Sequence, residues 1–168
     1  MFSCAPAEEA PEAAEPAAAE ETAPPPVEFA DAKYMDMAKA NMATFAIKDI
    51  AKWSGDLADN ARYLWNSGDS LVGKPAIVDF WTNRMSNVIE SVKFENSIYL
   101  PVKVNEPQSI EAKGVWVLSW HQVTAKYIAT GKSMTQWIHT AMHFNSNDKI
   151  DQFSLYIDRL AIQQASTK

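Results

Sequence analysis

The part of the sequence that most constrains the fold is a stretch from residue 113 to residue 158, which holds three long apolar-rich runs. The runs cover residues 113–127, 133–145 and 149–158, and two short breaks rich in turn residues separate them. In the last run Phe153, Leu155 and Ile157 alternate with polar side chains, which is the period of a β-strand with one buried face. The stretch therefore predicts an antiparallel meander of long strands.

Helices and further strands are predicted upstream of the meander. Apolar residues recur at helical spacing from Ala32, with Asp31 as the N-cap, and a second helical piece covers residues 47–53. A short strand over residues 58–65 and a helix with Pro75 in its first turn come next. Residues 88–104 then predict a long strand, bent or broken near Asn96, with Pro101 as the residue that ends it. The order predicts an α+β fold in which helices cover the apolar face of a one-sided sheet.

The first 28 residues differ from the rest in composition and charge. They carry seven glutamates and no Lys or Arg, whereas the whole chain has a net charge of −6, so the remainder is close to neutral. Residues 5–26 are almost entirely Ala, Glu and Pro, a composition that cannot bury a core. We expect residues 1–27 to be a signal remnant and disordered linker, and residues 28–168 to be the folded domain. The chain shows no basic stripe, which argues against a nucleic acid partner.

Cys4 is the single cysteine of the chain, which excludes an internal disulfide and a cysteine zinc site. The residues from Met1 to Cys4 look like the end of a bacterial lipoprotein signal, with a small residue before the cysteine that is acylated. The acidic spacer after Cys4 would be the tether. We therefore expect lipidation at Cys4, contact with the membrane only through that anchor, and a place in the bacterial cell envelope, either periplasmic or surface-exposed.

Four short motifs occur in a characteristic order. They are Asp49 between the first two helices, the run from Ala58 to Tyr63, Gly73-Lys74-Pro75-Ala76-Ile77, and the pair Asp148-Lys149-Ile150 and Asp158-Arg159-Leu160. Together they resemble the SnoaL-like branch of the nuclear-transport-factor-2-like superfamily over roughly residues 32–164. The resemblance implies a curved antiparallel sheet wrapped around about three N-terminal helices, a cystatin-like cone with a deep pocket at its open end. It also implies a homodimer through the outer face of the sheet.

The side chains expected to point into the cone are mostly apolar. In the last strand they are Phe153, Leu155 and Ile157, and the resemblance places Trp53, Tyr63 and Trp81 on elements that line the cone. These aromatic rings favour a flat or apolar ligand held by stacking, although packing of the core alone would also use them. Asp158 lies on the opposite face from Leu155, so we interpret it as a structural residue that caps the segment after the last strand.

His121 is the best single candidate for proton transfer, because it shares its strand face with Val117, Ser119 and Val123. A neutral imidazole in an apolar pocket can act as a base, an acid or a hydrogen-bond donor. The alternative is a histidine bonded to a neighbouring strand without a functional role. Ser119 is included with the predicted ligand-binding residues.

The resemblance also argues against one activity of the family. Several catalytic relatives have an acid where this chain has Leu155, and leucine cannot exchange a proton. The epoxide-hydrolase arrangement further uses an Arg-x-Asp pair, and the best match here is His121-Gln122-Val123, which lacks both charges. We therefore reject an epoxide hydrolase.

His139 and His143 invite a metal site together with His121, but their spacing does not support it. Two residues four apart on a strand lie about 13 Å apart, whereas zinc ligands lie about 2 Å from the ion. We expect no metal and no other cofactor, and we expect these two histidines on the sheet surface or a dimer interface, with one at the rim of the pocket.

Three functions remain open from the sequence. The first is a membrane-tethered pocket domain that binds a small hydrophobic molecule without transforming it. The second is an enzyme of the isomerase, cyclase or dehydratase type, in which His121 moves a proton next to a carbonyl and Tyr63 or another hydroxyl stabilises the oxyanion. The third is a dimerising module whose partner is another protein, since six tryptophans would suit an interface.

Overall fold

A computed structural model of the chain describes residues 23–107 and 112–168. Cys4 and almost all of the predicted spacer lie outside these residues, so the lipidation and the linker remain predictions. The boundary at residue 28 also remains a prediction, although the first strand begins beside it, at Val27. No helix within the described residues is both long enough and apolar enough to cross a membrane.

The described residues form seven strands and four α-helices. In chain order these are β1 (Val27–Phe29), α1 (Ala32–Ala46), α2 (Ile50–Trp53), β2 (Leu57–Trp65), β3 (Ser70–Val72), α3 (Lys74–Asn87), β4 (Ile89–Val104), β5 (Gly114–Tyr127), β6 (Ser133–Phe144), β7 (Ile150–Tyr156) and α4 (Arg159–Ser166). A single 3-10 turn, Ser54–Asp56, joins α2 to β2. The predicted α+β class, with a curved and unclosed antiparallel sheet around helices, is confirmed.

The three meander runs become β5, β6 and β7, which pair in sequence as antiparallel neighbours. The full order of the sheet is β1-β4-β5-β6-β7-β2-β3, and only β2 and β7 run parallel. After β2 the chain passes through β3, α3, β4, β5 and β6. Its last strand, β7, then lies beside β2 and runs parallel to it. This arrangement places β2 and β7 side by side beneath the helices.

Local sequence signals set the helix ends. The Asp31 side chain accepts a hydrogen bond from the Lys33 backbone N–H, at 2.8 Å, which satisfies a free donor at the start of α1 as predicted. Asp158 does the same for α4, where its carboxylate accepts from the backbone N–H groups of Leu160 and Ala161. Gly73 precedes α3 with a positive φ of 88°, a conformation that suits glycine, and Pro75 lies in the first turn.

The long strand β4 differs from the prediction at one of two points. The predicted bend is present: Asn96 has a positive φ of 51°, and the register with β5 shifts between Glu95 and Ile98. The predicted bounds, residues 88–104, are confirmed to within one residue, but Pro101 does not end the strand, because β4 continues to Val104. The Pro101 carbonyl accepts from the Ala30 N–H, so the side of Pro101 that lacks an N–H faces the end of β1 and not the ladder with β5.

Four smaller elements also depart from the sequence expectation. The second helix covers only Ile50–Trp53, because Asp49 caps it and Lys48, with a positive φ of 65°, separates it from α1. The strands β1 and β3 have three residues each, too few to show a period, and α4 comes after the last strand. The sheet is therefore covered by three helices that precede β4 and by one short helix at the end of the chain.

Candidate functional site

The inner face of the sheet and the helices enclose a cavity of about 610 Å³. Side chains of α1, α2, α3 and α4 form one side of this cavity, and residues of the strands β2 to β7 form the other. The predicted inward face of β7 is confirmed, since Phe153 and Leu155 are buried and both line the cavity. A volume of this size lies within the range that proteins use for small-molecule ligands.

Aromatic rings form most of one end of the cavity. Tyr63 stacks on Phe153 with ring centroids 5.3 Å apart, and it meets Trp81 edge-on at 5.6 Å. Trp53 lies against Phe153 at 5.8 Å. Three of the predicted ligand-binding residues, Trp53, Tyr63 and Trp81, therefore line the cavity together with Phe153 and Leu155. Their ligand contacts remain a prediction.

Trp53 is held in place by a buried side chain of α1. The Trp53 indole N–H donates to the Asn41 side-chain oxygen at 2.9 Å, and the Asn41 amide donates to Asp56 at 3.0 Å and to the Trp53 carbonyl at 3.3 Å. Asn41 is fully buried, so its amide is satisfied only because α2 and the turn after it present these partners. This network fixes the ring of Trp53 at the cavity wall.

A small set of polar groups interrupts the apolar wall. Arg84 of α3 lines the cavity, where it is partly buried and lies over the Phe80 ring at 5.6 Å. Arg159 lies at the same cavity and forms a salt bridge with Asp69. Asp69 is the single carboxylate among the described residues of the lining, and no histidine is among them.

The phenols of Tyr63 and Tyr127 also line the cavity. Burial raises the pKa of both hydroxyl groups above the ordinary value of a tyrosine, and the charge of Arg84 opposes that rise. Both groups therefore stay protonated near neutral pH and can donate hydrogen bonds. The Trp81 indole nitrogen is buried and has no hydrogen-bond partner among the described residues.

His121 lies on the inner face of β5, as its parity predicts, and is fully buried. It does not line the cavity, however, and neither does Ser119. Its ring instead contacts Phe94 at 5.5 Å and Tyr99 at 5.2 Å, both edge-on. Phe94 is itself a residue of the cavity wall, so the imidazole lies in the layer behind that wall.

Both ring nitrogens of His121 have partners. The Ser119 hydroxyl donates its proton to the Thr140 carbonyl at 3.1 Å, so its oxygen accepts from the imidazole Nε2–H at 3.0 Å. Nδ1 is then free to accept from the Ser97 hydroxyl at 2.8 Å. Burial, with a smaller contribution from His139, lowers the pKa of His121 to about 4. The neutral ring is therefore the form that fits this site at neutral pH.

His139 and His143 lie on the outer face of the sheet, which is one of the two surfaces expected from the sequence. His139 packs on Trp120 at 4.8 Å and donates from Nδ1 to the Ser119 carbonyl, while His143 packs on Trp116 at 4.8 Å and pairs with Asp151. Neither residue lines the cavity, so the expectation that one of them lies at its rim is wrong. Among residues 23–107 and 112–168, no group of three His, Cys, Asp or Glu side chains could hold a metal ion.

Sequence reasoning did not assign Arg84, Tyr127 or Arg159 to the site, although Arg159 belongs to one of the motifs that carry the resemblance. A signal existed for Arg84, because it lies three residues after Trp81 and seven after Ile77, on the buried face of the amphipathic helix α3. Tyr127 shares the parity of Val123 on β5 and could have been found in the same way. Arg159 belongs to α4, a helix too short to show a clear period in the sequence.

Comparison with solved structures identifies the architecture. A putative polyketide cyclase from Pseudomonas putida has a TM-score of 0.66 and 13% identity, with 80% of this chain and 98% of that chain covered. An NTF2-like protein from Burkholderia xenovorans has a TM-score of 0.62 and 16% identity, with 83% and 100% covered. A putative isomerase from Bacillus subtilis has a TM-score of 0.61 and 18% identity, with 79% and 91% covered. The chain has the nuclear-transport-factor-2-like cone fold.

No family model and no curated protein sequence matches the chain. At these identities, 13–18%, the neighbours show the fold alone and select no activity. The function of this cone must therefore be argued from the residues that line its cavity.

Proposed function

We propose that the chain is a SnoaL-like pocket domain that binds a small apolar or aromatic molecule inside the cone without transforming it. The observation that supports this most is the composition of the cavity wall. Its rings and aliphatic side chains surround about 610 Å³, while its one described carboxylate is already paired with Arg159. Such a wall favours burial and stacking of a guest, and it offers little for acid–base chemistry.

The affinity expected from this wall is moderate. An aromatic guest that buries about 200 Å² of apolar surface gains about 5 kcal/mol at ~25 cal/mol per Å². Stacking against Tyr63, Phe153 or the indole rings adds about 0.5–1.5 kcal/mol. The sum, about 5.5–6.5 kcal/mol, corresponds to a dissociation constant of about 20–100 µM.

A thermal-shift screen on the full chain tests this proposal, with single-ring and double-ring aromatic compounds as probes. A probe at about ten times its dissociation constant adds about 1.4 kcal/mol of stability, which raises Tm by about 3–6 °C for a domain of this size. Trp53 and Trp81 should report the same binding by a change in fluorescence, since both rings line the cavity.

A matched pair of variants separates the cavity from the rest of the sheet. Ala125→Phe projects a ring into the cavity, because Ala125 lines it, and should abolish the shift while the protein stays folded. Thr124→Phe places the same ring on the outer face of β5, opposite Thr135, and should keep the shift. Equal shifts in both variants would mean that probes bind elsewhere.

The isomerase, cyclase or dehydratase alternative depends on His121. The structural neighbours include proteins named as putative cyclases and isomerases, which keeps this class open. Against it, both nitrogens of His121 are bonded to serine hydroxyls and its ring lies behind the cavity wall. The binding function is therefore the better supported of the two.

We also propose that Cys4 carries a lipid anchor, which would place the domain in the bacterial cell envelope on its Ala/Glu/Pro spacer. A homodimer through the outer face of the sheet is a further part of the proposal. Its support is the exposure of large apolar side chains on that face, among them Trp137 at 53% and Tyr156 at 51%. The same exposed surface would serve the remaining alternative, a module that binds another protein.

A further inference from the structure

We propose that the guest of the cavity carries a carboxylate group and that the Arg84 guanidinium binds it. This inference rests on the proposed binding function and adds the chemical class of the ligand. It starts from the one charged side chain of the described lining that has no partner of opposite charge.

Arg84 has no salt bridge and its guanidinium makes no hydrogen bond within residues 23–107 and 112–168. Its close contact is with the Phe80 ring, at 5.6 Å, and burial lowers its pKa from the ordinary arginine value. Arg159 lines the same cavity but is already bonded to Asp69 and lies near the Trp65 ring at 5.9 Å. A partly buried guanidinium offers five N–H donors, and those of Arg84 remain available to a ligand.

Neutral donors accompany this cation. The Trp81 indole nitrogen is one helical turn before Arg84, and it is buried without a partner among the described residues. The hydroxyls of Tyr63 and Tyr127 make no hydrogen bond to another described residue, and both phenols are close enough to Arg84 for its charge to act on them. The Trp81 nitrogen has almost no accessible surface, so the donors that face the cavity beside Arg84 are the two phenols, and their protons are available to an acceptor that the ligand brings.

The charge of the site favours a carboxylate over a phosphate. The described lining contributes one unpaired positive charge, that of Arg84, since Arg159 and Asp69 neutralise each other. A carboxylate carries a single negative charge and matches the planar fork of the guanidinium, whereas a phosphate monoester carries about −1.5 to −2. The rest of the wall is apolar or aromatic, so the body of the ligand should be an aromatic ring or an aliphatic chain.

Matched acids and amides test the inference by isothermal titration on the full chain. The pairs are benzoate with benzamide, 2-naphthoate with 2-naphthamide, and octanoate with octanamide. We expect at least one acid to bind about 10- to 100-fold more tightly than its amide, which is the usual effect of a charge-assisted hydrogen bond. In Arg84→Met that preference should fall to about 1, while the affinity for the amide changes by less than about 3-fold.

Three further variants locate the effect. The double variant Asp69→Asn/Arg159→Met removes the paired cation together with its carboxylate and should keep the preference for the acid. Arg84→Lys keeps the positive charge but lacks the planar guanidinium, and it should retain part of the preference for the acid. Tyr127→Phe removes a phenol hydroxyl while keeping the ring at the cavity wall, and it should reduce acid binding several-fold. The wild-type preference and Tyr127→Phe keep the test valid even if Arg84→Met fails to fold.

Two results would overturn the inference alone. One is that amides bind as tightly as acids, which would leave the cavity as a site for neutral guests. The other is that Asp69→Asn/Arg159→Met abolishes the preference while Arg84→Met keeps it, which would assign the carboxylate to Arg159. If neither acids nor amides bind, the proposed function fails together with this inference, so the two failures are distinguishable.

Discussion

The buried, neutral His121 should make the stability of the domain depend on pH in a calculable way. Burial lowers its pKa to about 4, whereas an unfolded chain has an ordinary histidine pKa near 6.5. Between these values the unfolded state binds the proton and the folded state does not. The contribution of neutral His121 to the free energy of unfolding is therefore fully present above about pH 6.5 and is lost as the pH falls toward 4.

The size of the loss can be worked out from the two pKa values. Linkage between them gives about 2 kcal/mol of stability lost between pH 7 and pH 5 from this residue alone. With a urea m-value of about 2 kcal/mol/M, the midpoint of unfolding should fall by about 1 M over that range. His121→Gln removes the titrating group and keeps a side chain that can bond to Ser97 and Ser119.

Urea titrations of the wild type and His121→Gln at pH 7, 6 and 5 measure this difference directly. The carboxylates with lowered pKa values, such as Asp69 and Asp148, also destabilise the fold in acid, but they do so equally in both proteins. The gap between the two profiles therefore isolates His121. Parallel profiles would show that the ring titrates normally and is not desolvated, and the placement of His121 behind the cavity wall would have to be given up.

Three other perturbations test the buried network, the outer face and the anchor. Asn41→Leu should lower the free energy of unfolding in urea by about 1–3 kcal/mol, because it leaves the buried Trp53 indole N–H without an acceptor. Ala40→Leu, at the exposed neighbouring position, should lower it far less. Equal losses in the two variants would contradict the network. If the outer face forms the homodimer, Trp137→Glu should yield monomers in sedimentation velocity, whereas Lys52→Glu on α2 should not. A Trp137→Glu variant that remains dimeric would exclude this face as the interface. If Cys4 is lipidated, Cys4→Ala should move the expressed protein from the membrane fraction to the soluble fraction. Ser3→Ala should leave most of the protein in the membrane fraction. A Cys4→Ala variant distributed like the wild type would refute the anchor.

The sheet could be predicted from the sequence because its strands are long and half-buried. In β7 the alternation of Phe153 and Leu155 with polar residues fixed both the period and the inner face. The same parity correctly placed His121 on the inner face of β5. The strands β1 and β3 could not be predicted in this way, because three residues each are too few to show a period.

The site was harder to predict than the fold. The alternation of residues along a strand shows which face of the sheet a side chain lies on, but it does not show whether that part of the face borders the cavity. The strand β5 has 14 residues, and the cavity touches its inner face only at Val123, Ala125 and Tyr127. His121 shares that face but lies beyond the cavity, under Phe94 and Tyr99. Arg84 was missed for the opposite reason, since a lone arginine on a helix usually points to solvent and only the packing of α3 turns it inward.

The position of His121 also makes the catalytic alternative testable. A histidine that exchanges a proton with a guest must present a ring nitrogen to the cavity and have a pKa near the working pH. Here Phe94 separates the ring from the cavity, both nitrogens are bonded to serines, and the pKa of about 4 makes the imidazole a weak base.

We therefore expect His121→Gln to bind aromatic probes with an affinity within about 3-fold of the wild type, since the change lies outside the wall that would contact them. Thermal shift and titration of the same probe on both proteins measure this, with Ala125→Phe as the control that blocks the cavity. A stabilising shift that collapses in His121→Gln, in a variant that stays folded, would mean that the ring reaches the guest. The isomerase or cyclase alternative would then displace the binding function, because His121 would be a titratable group in contact with a ligand inside the cone.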